Sequence, residues 1–321
     1  LLRSGAAVLL HGLTDSPYSV HYLAQRYQQQ GFVAVAPRLP GHGTAPGALT
    51  GVDREEWIAT TRLAVREATR LAGDNVPLHV VGYSNGGALA LKYALDSLED
   101  KSLRRPQQVI LLSPMIGVTA FARFAGLAGL PSVFPAFARA AWLNIVPEFN
   151  PYKYNSFPVK AARQSWLLSQ ALQQQIIKTF RQGQILPTQV NLVGWSRGGI
   201  SCHMLANTML ADPLLTTIPV NIFAVDPVPG MGNFQADKVT LGSNVKEYVA
   251  FYARHERSKG FPCVIPQTDS ATKVHIYPMS GRHATLVGNA SANGNSGDKV
   301  VHEPGTIVRH FAEVCLQRWG V

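Results

Sequence analysis

The hydrophobic positions of this chain fall into short continuous runs rather than into strict alternation with polar ones. Gly5-Ala6-Ala7-Val8-Leu9-Leu10 leads into His11-Gly12, and Gly31-Phe32-Val33-Ala34-Val35-Ala36 leads into Pro37. Leu78-His79-Val80-Val81 and Gln108-Val109-Ile110-Leu111-Leu112 have the same character. Runs of this length, closed by glycine or proline, predict strands buried on both faces. Between them the pattern predicts helices at Tyr18–Gln30, Asp53–Ala72 and Ala88–Leu95. The second opens with Asp53-Arg54-Glu55-Glu56, acids where a helix dipole favours them. Strands alternating with helices predict a mostly parallel, doubly wound α/β sheet.

At Met115 the pattern changes. Residues 115–178 are rich in Ala, Phe, Leu and Pro, contain Trp142 and Trp166, and show no clear strand. We read them as a helical lid insertion over the carboxyl end of the sheet, where open α/β folds bind ligands. Further strands are expected at Gln189–Val193, Ile218–Asp226 and Lys273–Pro278, with a Gly/Asn/Ser-rich loop at Asn289–Asp298 and a terminal helix at Thr306–Trp319. The organisation is therefore a front core segment at 1–114, the insertion at 115–178 and a back core segment at 179–321.

Two strand-to-helix junctions carry a serine at the apex. The first is Gly82-Tyr83-Ser84-Asn85-Gly86 and the second Gly194-Trp195-Ser196-Arg197-Gly198. A hydroxyl becomes a useful nucleophile only when it is exposed, oriented and served by a base, and a sharp turn between glycines supplies the first two conditions. Each junction is followed by a helix and another strand, ending at Ser113 in the first copy and Asp226 in the second.

With 321 residues, 46% hydrophobic and 15% charged, the chain has enough apolar material for one large α/β domain or two modest ones. Its net charge of +10 is spread over both halves without a Lys/Arg block, which argues against nucleic acid as a partner and is compatible with peripheral contact with anionic lipid surfaces. Cys202, Cys263 and Cys315 are odd in number and far apart, as expected of ordinary thiols. No metal-ligand spacing or phosphate-cradling loop is present, so no cofactor and no metal is expected. The chain starts without Met and almost inside a strand, as an internal fragment would, and shows neither a leader-like stretch nor an apolar run long enough to span a bilayer; a cytoplasmic location is expected.

On His11-Gly12, Pro40-Gly41-His42-Gly43, the Gly82–Gly86 turn and the insertion after Ser113, residues 5–175 resemble the α/β-hydrolase family, more narrowly its bacterial esterases and monoacylglycerol-lipase-like members. Residues 185–321 are similar to bacterial lipases with Gly-x-Ser-Arg-Gly-Gly, phospholipase-type effectors among them, on Gly194–Gly199, Asp226 and His283. The chain thus looks like the front of one hydrolase joined near residues 175–185 to the back of another, as a fusion or chimera would be. The resemblance implies a serine hydrolase of carboxylic esters with a small acyl ester or lipid substrate, and an oxyanion hole made by the backbone N–H groups of Leu13 and Asn85.

A triad needs a histidine to take the serine proton and an acid to hold that histidine. Downstream of Ser84 there is no histidine before His203, so Ser84 must draw on Asp226 and His283, in the chain order Ser, Asp, His. Ser196 has the same pair within its own part but no obvious oxyanion loop. The surroundings of Ser84 favour it as the nucleophile, with Ser196 and a phospholipase-like activity as the alternative. A non-catalytic binding protein is the third. His11 and His42 are read as loop-shaping, His79 and His275 as buried structure, His255, His302 and His310 as surface, Arg197 as exposed, and Asp269 as the reserve acid.

Overall fold

The computed structural model describes residues 3–116, 139–182, 189–212, 215–230, 232–288 and 303–320. The chain divides into two compact units, Leu1–Pro187 and Thr188–Val321. The division falls two residues beyond the expected join.

In the first unit β1 (Gly5–Leu10), β2 (Phe32–Val35), β3 (Leu78–Tyr83) and β4 (Gln108–Leu112) run parallel in the order β2-β1-β3-β4. All six residues of β1 are buried, as are the first five of β3. Burial without alternation is what a sheet covered on both sides requires, and it is why these strands read as unbroken apolar runs. The covering helices are α1 (His21–Gln29), α2 (Arg54–Ala72) and α3 (Asn85–Glu99). Helix α2 starts where Glu56 reaches back to accept the Asp53 backbone N–H at 3.1 Å, satisfying an amide that the helix itself cannot.

The segment read as an insertion carries a long helix, α4 (Val159–Arg181), which runs past the expected end at residue 178. Trp142–Asn144 pairs antiparallel with Phe157–Pro158, so a small strand pair stands where none was foreseen. Its connection is held by polar groups rather than apolar ones. Glu148 accepts the N–H groups of Asn155 and Ser156 at 2.8 and 2.7 Å, and the Ser156 hydroxyl bonds both backbone groups of Val146. Helix α4 is anchored along α2 and α3. Gln164 bonds Asp53 and the Arg54 amide, Ser165 donates to Asn85 Oδ1 at 2.7 Å, and Gln175 donates to buried Asp96 at 2.8 Å. Burial would raise the Asp96 carboxyl, but Lys92, Arg62 and Gln175 outweigh it and hold it below the usual range. Residues 117–138 of the insertion, the loop at Asn289–Asp298 and His302 lie outside the described residues.

Among the described residues, four strands of the second unit lie side by side and parallel in sequence order, β5 (Val190–Trp195), β6 (Val220–Val225), β7 (Val245–Ala253) and β8 (Lys273–Met279), and Thr240–Leu241 pairs separately with Gln267–Thr268. Helix α5 (Arg197–Ala211) follows β5, and α6 (Glu303–Arg318) packs through Val308 and Cys315 into a core with Phe223, Phe251 and Leu286. Strand β7 was not foreseen. Its polar start, Lys246-Glu247, masks the apolar run behind it, and a register shift lies between Val245 and Glu247. Glu247 is tolerated in the interior because Arg318 and the Trp319 indole N–H (2.7 Å) both donate to it. His275 corrects another expectation. β8 ends the strand order, and His275 is exposed there, 3.6 Å from Glu247, not buried.

Both serine turns are tight. Ser84 has φ 55° and Ser196 φ 57°, in the left-handed region that side chains rarely adopt. The chain doubles back so closely that a Cβ on Gly82 would stand 2.1 Å from Gly86 O, and one on Gly194 2.4 Å from Gly198 O. Gly86 has the same constraint against Leu10 O at 2.2 Å. Gly86→Ala is therefore expected to cost at least about 1–3 kcal/mol, the usual range for overpacking against atoms that cannot yield. Urea denaturation measures it, and an unchanged midpoint would contradict the packing.

Candidate active site

The two turns match atom by atom. Ser84 N–H donates to Leu112 O at 2.9 Å, and Ser196 N–H to Val225 O at 3.0 Å. Ser84 O accepts from Gly87 and Met115, and Ser196 O from Gly199 and Val228. A Cβ on Gly87 would meet Pro114, and one on Gly199 would meet Pro227. The match extends to the residue before each proline. Ser113 and Asp226 both have positive φ, 44° and 43°, so one unusual backbone position presents a hydroxyl in the first unit and a carboxylate in the second.

Around Asp226 the second unit builds a buried pair. His283 Nδ1 lies 2.6 Å from Asp226 Oδ2, with His283 5% and Asp226 1% exposed. The other carboxylate oxygen accepts the Ala253 N–H at 3.1 Å, so both oxygens are occupied. His283 is fixed through its backbone as well. Its N–H donates to Glu256 Oε2 at 3.2 Å, and its carbonyl accepts the Trp195 indole N–H at 3.2 Å. The last bond ties the histidine to the residue before Ser196. An imidazole that gives Nδ1–H to a carboxylate keeps Nε2 as an acceptor, the tautomer a general base needs. Despite partial burial, Glu256 is held below the usual carboxylate range by Ser258, by the His283 N–H and by the Arg257 N–H.

The histidines of the first unit are all engaged elsewhere. His11 Nδ1 meets Gly12 O at 2.9 Å while its Nε2 accepts the Leu39 N–H at 3.1 Å. His42 bonds the carbonyls of Leu13 and Pro40, His79 the Tyr27 hydroxyl, and His21 the Tyr18 carbonyl. The loop-shaping roles expected of His11 and His42 are thus visible as bonds. What the first unit does assemble is the turn and its neighbour loop: a Cβ on Gly12 would come within 3.3 Å of Ser84 Cβ. Leu13 and Asn85 are both buried, and the Asn85 side chain accepts from Ser165 on α4.

Of the remaining candidates, Arg197 and His255 are exposed, and His255 Nδ1 accepts the Gly281 N–H. Asp269 serves its own turn, accepting the Ala271 N–H at 2.9 Å. All three cysteines are free thiols. Among the described residues no group of three or more His, Cys, Asp or Glu side chains could hold a metal ion, and no helix is long and apolar enough to cross a membrane. Trp195, Phe261 and Glu256 were not singled out from sequence. The last two lie on the loop after β7, the strand that the pattern did not reveal.

Residues 3–177 match the family profile Hydrolase_4, described as Serine aminopeptidase, S33. The chain belongs to this family. The match includes the Ser84 turn and ends before the Ser196 turn. A thermostable monoacylglycerol lipase of Bacillus sp. (strain H-257) is 31% identical over 87 residues, which is 27% of this chain and 34% of that protein. The chain thus spans about a third of the length of this curated relative. Among solved structures, that of the metagenome-derived lipolytic enzymes LipS and LipT aligns over 99% of this chain and 95% of the other at 15% identity, with a TM-score of 0.50. A soluble variant of monoglyceride lipase from Saccharomyces cerevisiae aligns over 97% and 85% at 14% identity, with a TM-score of 0.46. The protein is an α/β hydrolase.

Burial makes several of this hydrolase's histidines sensitive to acid. It lowers His11, His79 and His203 from an ordinary 6.5 to about 4 each, with His42 adding to the effect at His11. The folded protein keeps them neutral while the unfolded chain protonates below 6.5, so their stabilising contribution is complete above that value and is lost as pH falls toward 4. His203, bonded to Lys238 O and the Tyr248 hydroxyl, is the cleanest test. Urea midpoints should fall steeply between pH 6.5 and 4 in the native protein and less steeply in His203→Gln. Identical slopes would contradict this assignment.

Proposed function

We propose that this chain hydrolyses carboxylic esters, with Ser196 as nucleophile, His283 as general base and Asp226 as the group that orients His283. The observation that carries the reading is the buried 2.6 Å bond between His283 Nδ1 and Asp226 Oδ2, in the unit whose Ser196 has φ 57°. His283 Nε2 takes the Ser196 proton as the oxygen attacks the ester carbonyl. The resulting imidazolium returns that proton to the leaving alcohol. Water, deprotonated by the same histidine, then releases the acyl group. Asp226 stays ionised and stabilises the imidazolium, helped by the Ala253 N–H that fixes its second oxygen. The Arg197 backbone N–H follows Ser196 as Asn85 follows Ser84 and is the expected oxyanion donor of this turn. Acyl glycerides are the proposed substrate class, with support from the monoacylglycerol lipase to which part of the chain is similar.

A second reading keeps Ser84 as the nucleophile, with the Leu13 and Asn85 N–H groups as the oxyanion hole. It is favoured by the close approach of Gly12 to Ser84 and by the extent of the family match. Turnover of p-nitrophenyl butyrate separates the two. Ser196→Ala is expected to abolish turnover and Ser84→Ala to leave it within about threefold. Asp226→Asn should lower kcat by about 10³–10⁴-fold, since the amide no longer selects the imidazole tautomer that the reaction needs. Loss of turnover in Ser84→Ala alone would replace the first reading by the second. Full turnover in His283→Ala would remove both.

A further inference from the structure

His283 is flanked by two aromatic rings for which the reaction scheme has no use. Trp195, immediately before Ser196, stacks on the imidazole with ring centroids 5.0 Å apart and planes inclined by 27°. Phe261 approaches the same imidazole at 4.9 Å and 41°. Both rings remain partly in water, 36% exposed for Trp195 and 44% for Phe261, while the histidine between Asp226 and the rings is buried. Burial of apolar area would account for rings hidden in a core. It accounts poorly for two partly exposed rings that both meet one imidazole.

The face of an aromatic ring carries negative charge density and attracts a cation whose centre lies within about 6 Å of its centroid. In the proposed cycle the imidazole is a cation only after it has taken the serine proton, so an attraction specific to that form acts on the transition state more than on the resting enzyme. We propose that Trp195 and Phe261 form an aromatic clamp that fixes the plane of His283 and favours its protonated form. The inference rests on the reading of His283 as the general base. Neither residue is a catalytic group; both act through His283 and are positioning residues.

Charged and titratable neighbours act on the same histidine and must be held constant in any test. Asp226 bonds Nδ1, and Glu256 accepts the backbone N–H. Tyr252 and Cys263 stand close enough to feel the charge of Asp226, His255 accepts from Gly281, and Arg282 precedes His283 in the chain. Changing Trp195 or Phe261 substitutes none of these, and the indole N–H bond to the His283 carbonyl is lost equally in Trp195→Leu and Trp195→Phe, so the comparison of those two isolates the ring. The carboxylate acts at the edge of the imidazole and the stacked indole on its face, so the two contributions can be separated by substitution.

The test follows the ring ¹⁵N resonances of His283 against pH in the resting protein, in parallel with the pH profile of kcat/KM for p-nitrophenyl butyrate. In Trp195→Leu the ring is expected to titrate about 0.5–1 pH unit lower than in the native protein. The acid limb of kcat/KM should move with it, and kcat should fall about tenfold with KM within threefold. Trp195→Phe should restore most of the shift, and Phe261→Leu should give a smaller one in the same direction. Phe261→Leu carries the same readout if Trp195→Leu does not fold. Unchanged ring titration in the leucine variants would overturn the clamp. The resonances report on the clamp even if His283→Ala retains turnover, so failure of the clamp and failure of the proposed reaction give different results.

Discussion

The chemistry we propose depends on a serine backbone held in the left-handed region while the chain crosses itself too tightly for a Cβ at the preceding glycine. That constraint sets each serine at the point where its strand turns into the helix that follows. Gly82 and Gly194 are required by the crossing itself, because the atoms they would strike belong to backbone. Strain of this kind persists only where the surroundings fix it from several sides. Here they do so through the amide of each serine bonded to the neighbouring strand and its carbonyl bonded at least twice.

The turn occurs twice, yet its surroundings differ at one position of real consequence. After the neighbouring strand the backbone adopts the same positive φ at Ser113 and at Asp226. In the second unit that position bears the carboxylate that grips His283. In the first it bears a hydroxyl, and the histidines of that unit are bound to carbonyls, an amide and a tyrosine. A preserved backbone with an exchanged side chain is the simplest physical account of two similar turns with different surroundings. The account also explains why motif and family match alone point toward Ser84, while the bonded dyad favours Ser196.

Much of the fold was legible because strands buried on both faces must be apolar throughout, as Gly5–Leu10 and Val220–Val225 are. Asp226 and His283, which the structure joins by a hydrogen bond, were singled out for a related reason: each follows a strand, where a side chain reaches the carboxyl end of the sheet. What stayed hidden depended on partners distant in sequence. Strand β7 was obscured by Glu247, whose burial makes sense only once Arg318 and Trp319 are seen to bond it. His275 was misread as buried because position in the strand order cannot be inferred from a seven-residue run. The strand pair of the insertion is held by Glu148 and Ser156, polar groups that a hydrophobic pattern does not register. Phe261 and Glu256 were missed along with the strand before them.

Mapping the serine modified by a fluorophosphonate probe in the native protein tests the central claim most directly, because the probe reports nucleophilicity without assuming a substrate. The account predicts label on Ser196, absent from His283→Ala, with Ser84 unmodified. Label on Ser84 alone, or on neither serine of the folded protein, would contradict it.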